Sequence, residues 1–414
     1  MHDTTKESHW HEPKAGENAG FGAFARPLLP YDRFMEAESV PVYRGIGAKC
    51  VQDLPMAPWK RLGGRGSYIQ LYGTEGLWGM YVVEVPGAGA LNVERHLYEK
   101  IVFVLEGRGS TEVWQEGEPR IKSGRRHVFE WQKGSLFTIP LNAFHRIVNA
   151  GSAPALLLCG TSAPNVMNLI DSPEFIFNCP AAFPHRFSGA EDFFKPNDDI
   201  EPDPVRGLAM RRTNLISDVI ATELPLDNRR SPGYRRIEPM MAGNRFYQFI
   251  GQYESGRYSK AHKHISTAVL ICLKGRGYTY TWPETLGPTP WRDGKANKVL
   301  RQDYEYGGIV TAAPMSGDWF HQHFGIAKEG LRVLAWHGPN NHPAFKAGRP
   351  GEALKDIWAV DLDKGGNAVP YHMEDPALRA EYEETLAREG MTSRMNPEFY
   401  ERADAAGADA DGGF

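Results

Sequence analysis

The sequence predicts an all-β chain of two tandem antiparallel barrels, and three observations carry that prediction. Short runs rich in Val, Ile, Leu, Tyr and Phe recur between Gly, Pro and Asn punctuation, as in Met80–Val85 and Ile101–Leu105, and again in Phe246–Ile250 and Ala268–Cys272. Gly (44) and Pro (30) are both abundant, which fits many turns between short strands rather than long helices. The third observation is a duplication. Glu94-Arg95-His96, the turn Glu106-Gly107-Arg108-Gly109 and Trp114 match His262-Lys263-His264, the turn Lys274-Gly275-Arg276-Gly277 and Trp282 without a gap. Further on, Gly134 to Pro140 leads to His145 as Gly308 to Pro314 leads to His321, so His145 corresponds to His321 and His323 is an addition. Sheets of such strands must remove their edges, and closure into a barrel does so.

Taken in order, residues 1–40 read as an N-terminal arm, loosely ordered over its first part, and 41–160 as the first barrel. A connector, 161–242, holds the pairs Arg211-Arg212, Arg229-Arg230 and Arg235-Arg236. It is too apolar and aromatic for a free linker and is expected to lie across both barrels. The second barrel spans 243–345, and 346–414 form a C-terminal extension. In that extension Asp375 as N-cap, Pro376 at the first helical position and Gly390 beyond the end predict a helix near 376–389. The Asp/Ala/Gly-rich last residues read as a disordered tail.

At 414 residues the chain is long enough for two or three cores. A net charge of −4 gives no footprint for nucleic acid or an anionic membrane. No apolar run approaches the ~20 residues that span a bilayer, and the start lacks the apolar stretch of a secretory signal, so cytoplasmic residence is expected. Cys50, Cys159, Cys179 and Cys272 form no CxxC pair, which argues against a thiolate zinc site and suits a reducing compartment.

Residues two apart on a strand face the same way, so His262 and His264 present both imidazoles to one side. His321, from a strand distant in sequence, would complete a three-point site for Fe(II), Mn, Ni or Zn. His323 shares strand parity with His321 and could replace it, although the internal repeat selects His321 and leaves His323 for substrate contact. In the first module Glu94 stands where His262 does, beside His96 and His145. A Glu/His/His set can hold a second metal, but Lys100 lies on the same strand face, where its charge opposes a metal and could pair with Glu94. The metal-free reading is therefore expected there.

These motifs resemble the cupin superfamily, and the duplication is similar to that of a bicupin. The resemblance rests on His262, His264, Ala268, Gly275, Pro314 and His321 in the second module, and on Glu94, His96, Lys100, Gly107, Pro140, His145 and Asn149 in the first. It implies two jelly-roll (double-stranded β-helix) barrels and a homo-oligomer. Ala268 stands where oxalate decarboxylases carry a metal-binding Glu, so the motif looks more like that of the gentisate and salicylate 1,2-dioxygenases. Those hold iron mainly in the N-terminal barrel, whereas the intact triad here is C-terminal.

The resemblance implies an Fe(II) dioxygenase acting on a small aromatic or enolic carboxylate, with a small-molecule substrate and dioxygen as partners. Phe246, Tyr278, Tyr280, Trp282 and Trp319 are candidates to wall the pocket. His323 or Gln248 could hydrogen-bond substrate or an oxygen intermediate, and Arg235 or Arg236 could clamp a carboxylate. The alternative keeps the metal, as Mn, Zn or Ni, in a hydrolase, lyase or isomerase. A third is a non-catalytic binding or storage bicupin.

Overall fold

The structure, a computed structural model, describes residues 28–115, 126–203, 207–228, 231–241, 244–264, 268–315, 318–339 and 360–401. In the first half, strands Gly79–Val85, Ala155–Thr161, Lys100–Glu106 and Leu136–Ile139 lie side by side in that order, all antiparallel. Phe144–Asn149, Arg108–Trp114 and His127–Gln132 form the facing sheet, and bridges from Ala90 to Val148 and Glu94 to His145 stand where a fourth strand would be. The second half repeats this. Phe246–Tyr253, Leu331–Pro339, Val269–Lys274 and Ile309–Thr311 make one sheet. His262–His264, Trp319–Gly325, Gly277–Pro283 and Leu300–Tyr304 make the other. Each half is thus a pair of facing antiparallel sheets in a jelly-roll arrangement, and the expected all-β architecture of two barrels is the one observed.

The turn glycines of the repeat are required by backbone geometry. Gly107 and Gly275 sit at φ +97° and +80°, a region closed to most side chains, and a Cβ on Gly275 would lie 2.0 Å from the Gly330 carbonyl oxygen. Asn149 anchors the first barrel's closing loop by donating to the carbonyls of Val85, Pro86 and Ala153 while accepting from Gly151 N. Its counterpart in the second barrel is Gly325, where a Cβ would press to 2.7 Å from Leu331 Cβ.

Strands such as Lys100–Glu106 are apolar on both faces because each face has a core to fill. Val102 and Val104 point into the first barrel, whereas Ile101, Phe103 and Leu105 join Ile250, Ile271 and Leu334 in a core shared by the two barrels. The large sheets therefore stack face to face. Trp78 and Trp336 meet edge-to-face in this layer, with centroids 6.5 Å apart, and Gly160 leaves room for the Trp336 indole. Strand exchange ties the halves further. Gly47–Ala48, from the first half, pairs with Ile309 and Val310, and Leu215–Ile216 of the connector pairs with Leu136 and Phe137.

Three short helices were not expected from the sequence. Pro30–Ala37, inside the predicted arm, packs on Ala163–Ile170, with Tyr31 N donating to Asn168 Oδ1 at 2.9 Å, and Pro173–Asn178 follows. Their short apolar stripes gain stability from packing, which a propensity reading does not register. The C-terminal helix runs Pro376–Arg388, capped by Asp375 through Ala377 N at 3.1 Å. It lies on the outer face of the histidine-bearing sheet, where Leu378, Tyr382 and Leu386 pack with Tyr258, Tyr278 and Phe324. Residues 1–27 and 402–414, the latter including the predicted disordered tail, lie outside the described residues. Among the described residues no helix is long and apolar enough to cross a membrane.

Candidate metal centre

His262 and His264 flank Lys263, which turns outward to Glu284, so strand alternation aims both imidazoles inward. His262 is the direct cross-strand partner of His321, and His264 pairs with Trp319. All three rings are buried, and one nitrogen of each lies within 4.8 Å of the others. His262 Nε2 and His321 Nε2 stand 3.1 Å apart. Their Nδ1 atoms face the carbonyls of Lys260 and Trp319, which can only accept, so each Nδ1 carries the proton. With the protons so placed, the two Nε2 atoms face each other as acceptors, and a cation between them would satisfy both. A separation near 3 Å also suits two ligands on one metal with bonds of about 2.1 Å. The donor set and its geometry fit a divalent transition metal, and the backbone carbonyls fix the tautomers as outer partners of metal-bound histidines do.

His323 is on the same face but farther off, its ring centroid 5.4 Å from that of His321 and 6.3 Å from that of His262. A hydrogen-bond chain sets its tautomer. Tyr304 Oη donates to the Tyr278 carbonyl and accepts from Thr279 Oγ1, whose single proton is thereby used. Thr279 Oγ1 must then accept from His323 Nδ1 at 2.8 Å, which puts a lone pair on Nε2.

The cavity around these rings is about 10 Å³, room for one ion or water, and is walled by Phe249, Leu270, Val333 and the alanines 268, 312 and 335. His337, which the sequence reading missed, also lines it. The signal was strand parity: His337 alternates with Val333 and Ala335 along Leu331–Pro339.

Several predicted residues stand elsewhere. Gln248 is on the opposite face of its strand from Phe249 and Tyr253, on the side of Phe246 and Ile250 that meets the other barrel. Arg235 donates to the Leu224 carbonyl, away from the cavity. Its neighbour Arg236 is buried, pairs with Glu238 at 2.7 Å and lies over the Phe249 ring, behind the cavity wall. Tyr278, Tyr280 and Trp282 face outward into the core under the C-terminal helix, because Thr279 and Thr281 take the inward positions. Phe246 packs on Trp78 between the barrels, and Trp319 is buried but is not part of the cavity wall.

The outer face of the histidine strand is held by the C-terminal extension. Gln322, between His321 and His323, donates to Glu374 Oε2 at 2.6 Å, and Tyr258 Oη meets Glu374 Oε1 at 2.6 Å. Burial pushes the Glu374 carboxyl up from 4.5 to about 7, the hydrogen bonds from Tyr258 and Gln322 offsetting only part of it. A raised carboxyl favours the protonated fold, so stability falls as pH climbs from the unfolded value through 7 and is then level. A displacement of that size corresponds to roughly 3 kcal/mol. Glu374→Gln, which mimics the protonated acid, is expected to match the wild type at pH 4 and exceed its stability at pH 8. Thermal melts of both proteins across that range would refute this if the two curves ran parallel.

The first module builds the same constellation with one replacement. Glu94, His96 and His145 are buried with ligand atoms within 4.8 Å, but Lys100 Nζ stands among them, 2.9 Å from Glu94 Oε2 and 3.2 Å from His145 Nε2. Arg61 Nη1 holds the other carboxylate oxygen at 2.5 Å. Burial pushes the Glu94 carboxyl up, yet the Lys100 ammonium and the Arg61 guanidinium beside it outweigh that and hold the group well below the usual carboxylate range.

No protein-family model and no curated protein matches the chain. Among solved structures it is similar to a single-site mutant of Bacillus subtilis oxalate decarboxylase, at 12% identity and TM-score 0.43, over 71% of this chain and 77% of that one. It is also similar to the formate complex of Lactobacillus farciminis oxalate decarboxylase, at 13% identity and TM-score 0.42, over 70% of this chain and 85% of that one.

Proposed function

We propose that this chain is a metal-dependent enzyme of the bicupin type acting on a small organic acid, with His262, His264 and His321 as the ligands of one divalent ion. The observation that carries the reading is the convergence of three buried imidazoles, His262, His264 and His321, with one ring nitrogen of each within 4.8 Å of the others. A storage barrel gains nothing from such an arrangement. Manganese, iron, nickel and zinc all accept imidazole, and any of them supplies Lewis-acid polarisation of a substrate oxygen.

The chain's own residues do the rest. His323 presents its Nε2 lone pair to the pocket, and the Thr279–Tyr304 chain holds the proton at Nδ1, so Nε2 is the atom that exchanges a proton with substrate. Leu270, Val333 and Phe249 keep water away from that exchange. A proton-handling imidazole beside the metal site favours a non-oxidative reaction, of lyase, hydrolase or isomerase type. The second reading is the Fe(II) dioxygenase, favoured by three imidazole donors without a carboxylate and by the apolar lining.

The test is to strip the protein of metal, reload it separately with Mn(II), Fe(II), Ni(II) and Zn(II), and assay small carboxylic acids with and without dioxygen. Turnover that persists anaerobically is expected. Turnover that stops without oxygen would establish the dioxygenase instead, and a chain that binds none of the four ions would remove both readings.

A further inference from the structure

We infer that in the first barrel the Lys100 ammonium serves as the resident cation of a metal-type site, and that removing it opens a second metal site on Glu94, His96 and His145. The duplication provides the comparison. Under the alignment that places His96 on His264, Lys100 falls on Ala268, which lines the cavity beside the three histidines of the second barrel. Where the second barrel leaves room for an ion, the first sends in a side chain.

The polar atoms in the first barrel are arranged as for a metal. His96 Nδ1 donates to the Tyr98 carbonyl at 2.8 Å and His145 Nδ1 to the Ala143 carbonyl at 3.3 Å, so both Nε2 atoms carry inward lone pairs. With Glu94 Oε2 they make three acceptors and no donor of their own. Lys100 Nζ satisfies two of them. The third, His96 Nε2, is buried, on a side chain only 1% exposed, and has no hydrogen-bond partner among the described residues. An orphaned acceptor of that kind is costly in a hydrogen-bonded core and ordinary in a ligand set. An ammonium, confined to its own tether, reaches fewer acceptors than a free ion centred among all three.

The experiment counts metal directly and is independent of catalysis. In a His262→Ala/His264→Ala background, which silences the second barrel, apo protein is loaded with Co(II), desalted and analysed for cobalt, with the visible Co(II) absorption as a second readout. The parent is expected to retain almost none. Adding Lys100→Ala should raise the content at least tenfold, to about one ion per chain, and adding His96→Ala should return it to the parent value. Cobalt in the parent that disappears with His96→Ala would show that the native site already takes a metal and would overturn the inference. So would a folded Lys100→Ala protein, verified by circular dichroism, that binds nothing.

Should Lys100→Ala fail to fold, Lys100→Met keeps most of the volume without the charge and carries the same two outcomes. A His96→Ala change in the otherwise native chain should leave metal content unaltered, and a loss there would also overturn the inference. If the native chain binds no metal while the Lys100 variant gains one ion, the function proposed for the second barrel falls and this inference stands.

Discussion

Glu94→Ala should destabilise the protein by about 3–5 kcal/mol, since it leaves a buried ammonium without its carboxylate. Lys100 is 1% exposed, at the start of the inner strand Lys100–Glu106. Arg61 also loses its partner, but it is partly exposed and can turn to water or to Glu38. The effect should therefore trace to Lys100, and a Glu94→Ala/Lys100→Ala double variant should recover much of the loss by removing both charges. The pH dependence has a definite sign. The Glu94 carboxyl is depressed in the fold, so its stabilisation is complete above the unfolded carboxyl value and disappears as pH falls through the folded one. Denaturant titrations should show the wild type losing this stability in acid and Glu94→Ala lacking the slope. A single-variant cost below about 1 kcal/mol would mean the pair behaves like an exposed salt bridge.

Much of this site was legible in the sequence because strand periodicity and duplication are both local in pattern. His262 and His264 had to share a face, and the match of His145 with His321 selected the strand that completes the set. Lys100 was legible as a cation close to Glu94, but the expected shared strand face is not what brings it there: a bend at Leu97 and Tyr98 separates it from His96, and it enters from the first strand position of the facing sheet. What escaped was phase. Alternation says that Thr279 and Tyr280 point opposite ways but not which one enters the barrel, so the aromatics stand in the sequence as candidates for the pocket wall and for core packing alike. Here the C-terminal helix gives Tyr278, Tyr280 and Trp282 a second core outside the barrel, so the small threonines could face the histidines. Gln248 was misplaced by the same choice of phase, since the stacking of the barrels buries both faces of its strand. Long-range partners were out of reach altogether. Nothing near Gln322 announces Glu374, and a two-residue strand such as Gly47–Ala48 carries too little pattern to be seen.

His321→Ala is expected to reduce metal affinity by well over 10–100-fold, the cost typical of losing only an outer partner of a ligand. The two imidazoles left, His262 and His264, come from one short strand, and their ring centroids are 5.5 Å apart. His321 is the ring that closes the set, with centroids 4.2 Å from His262 and 4.4 Å from His264. His323→Ala provides the contrast. Its ring lies beyond the cluster, and its Nδ1 is committed to Thr279, so the variant should retain metal and lose turnover. Calorimetric titration of both apo variants with Mn(II) and Zn(II) separates the roles. If His323→Ala lost the metal while His321→Ala kept it, the two histidines would have to exchange places, and with them the repeat-based alignment that pairs His145 with His321. Because His262 faces His321 directly across the sheet, such an exchange would need the strand to slip by two residues, which would break the pairing of Lys263 with Phe320 and of His264 with Trp319. The register thus opposes the exchange more strongly than the distances do, and the metal titration tests the strand pairing as much as the ligand assignment.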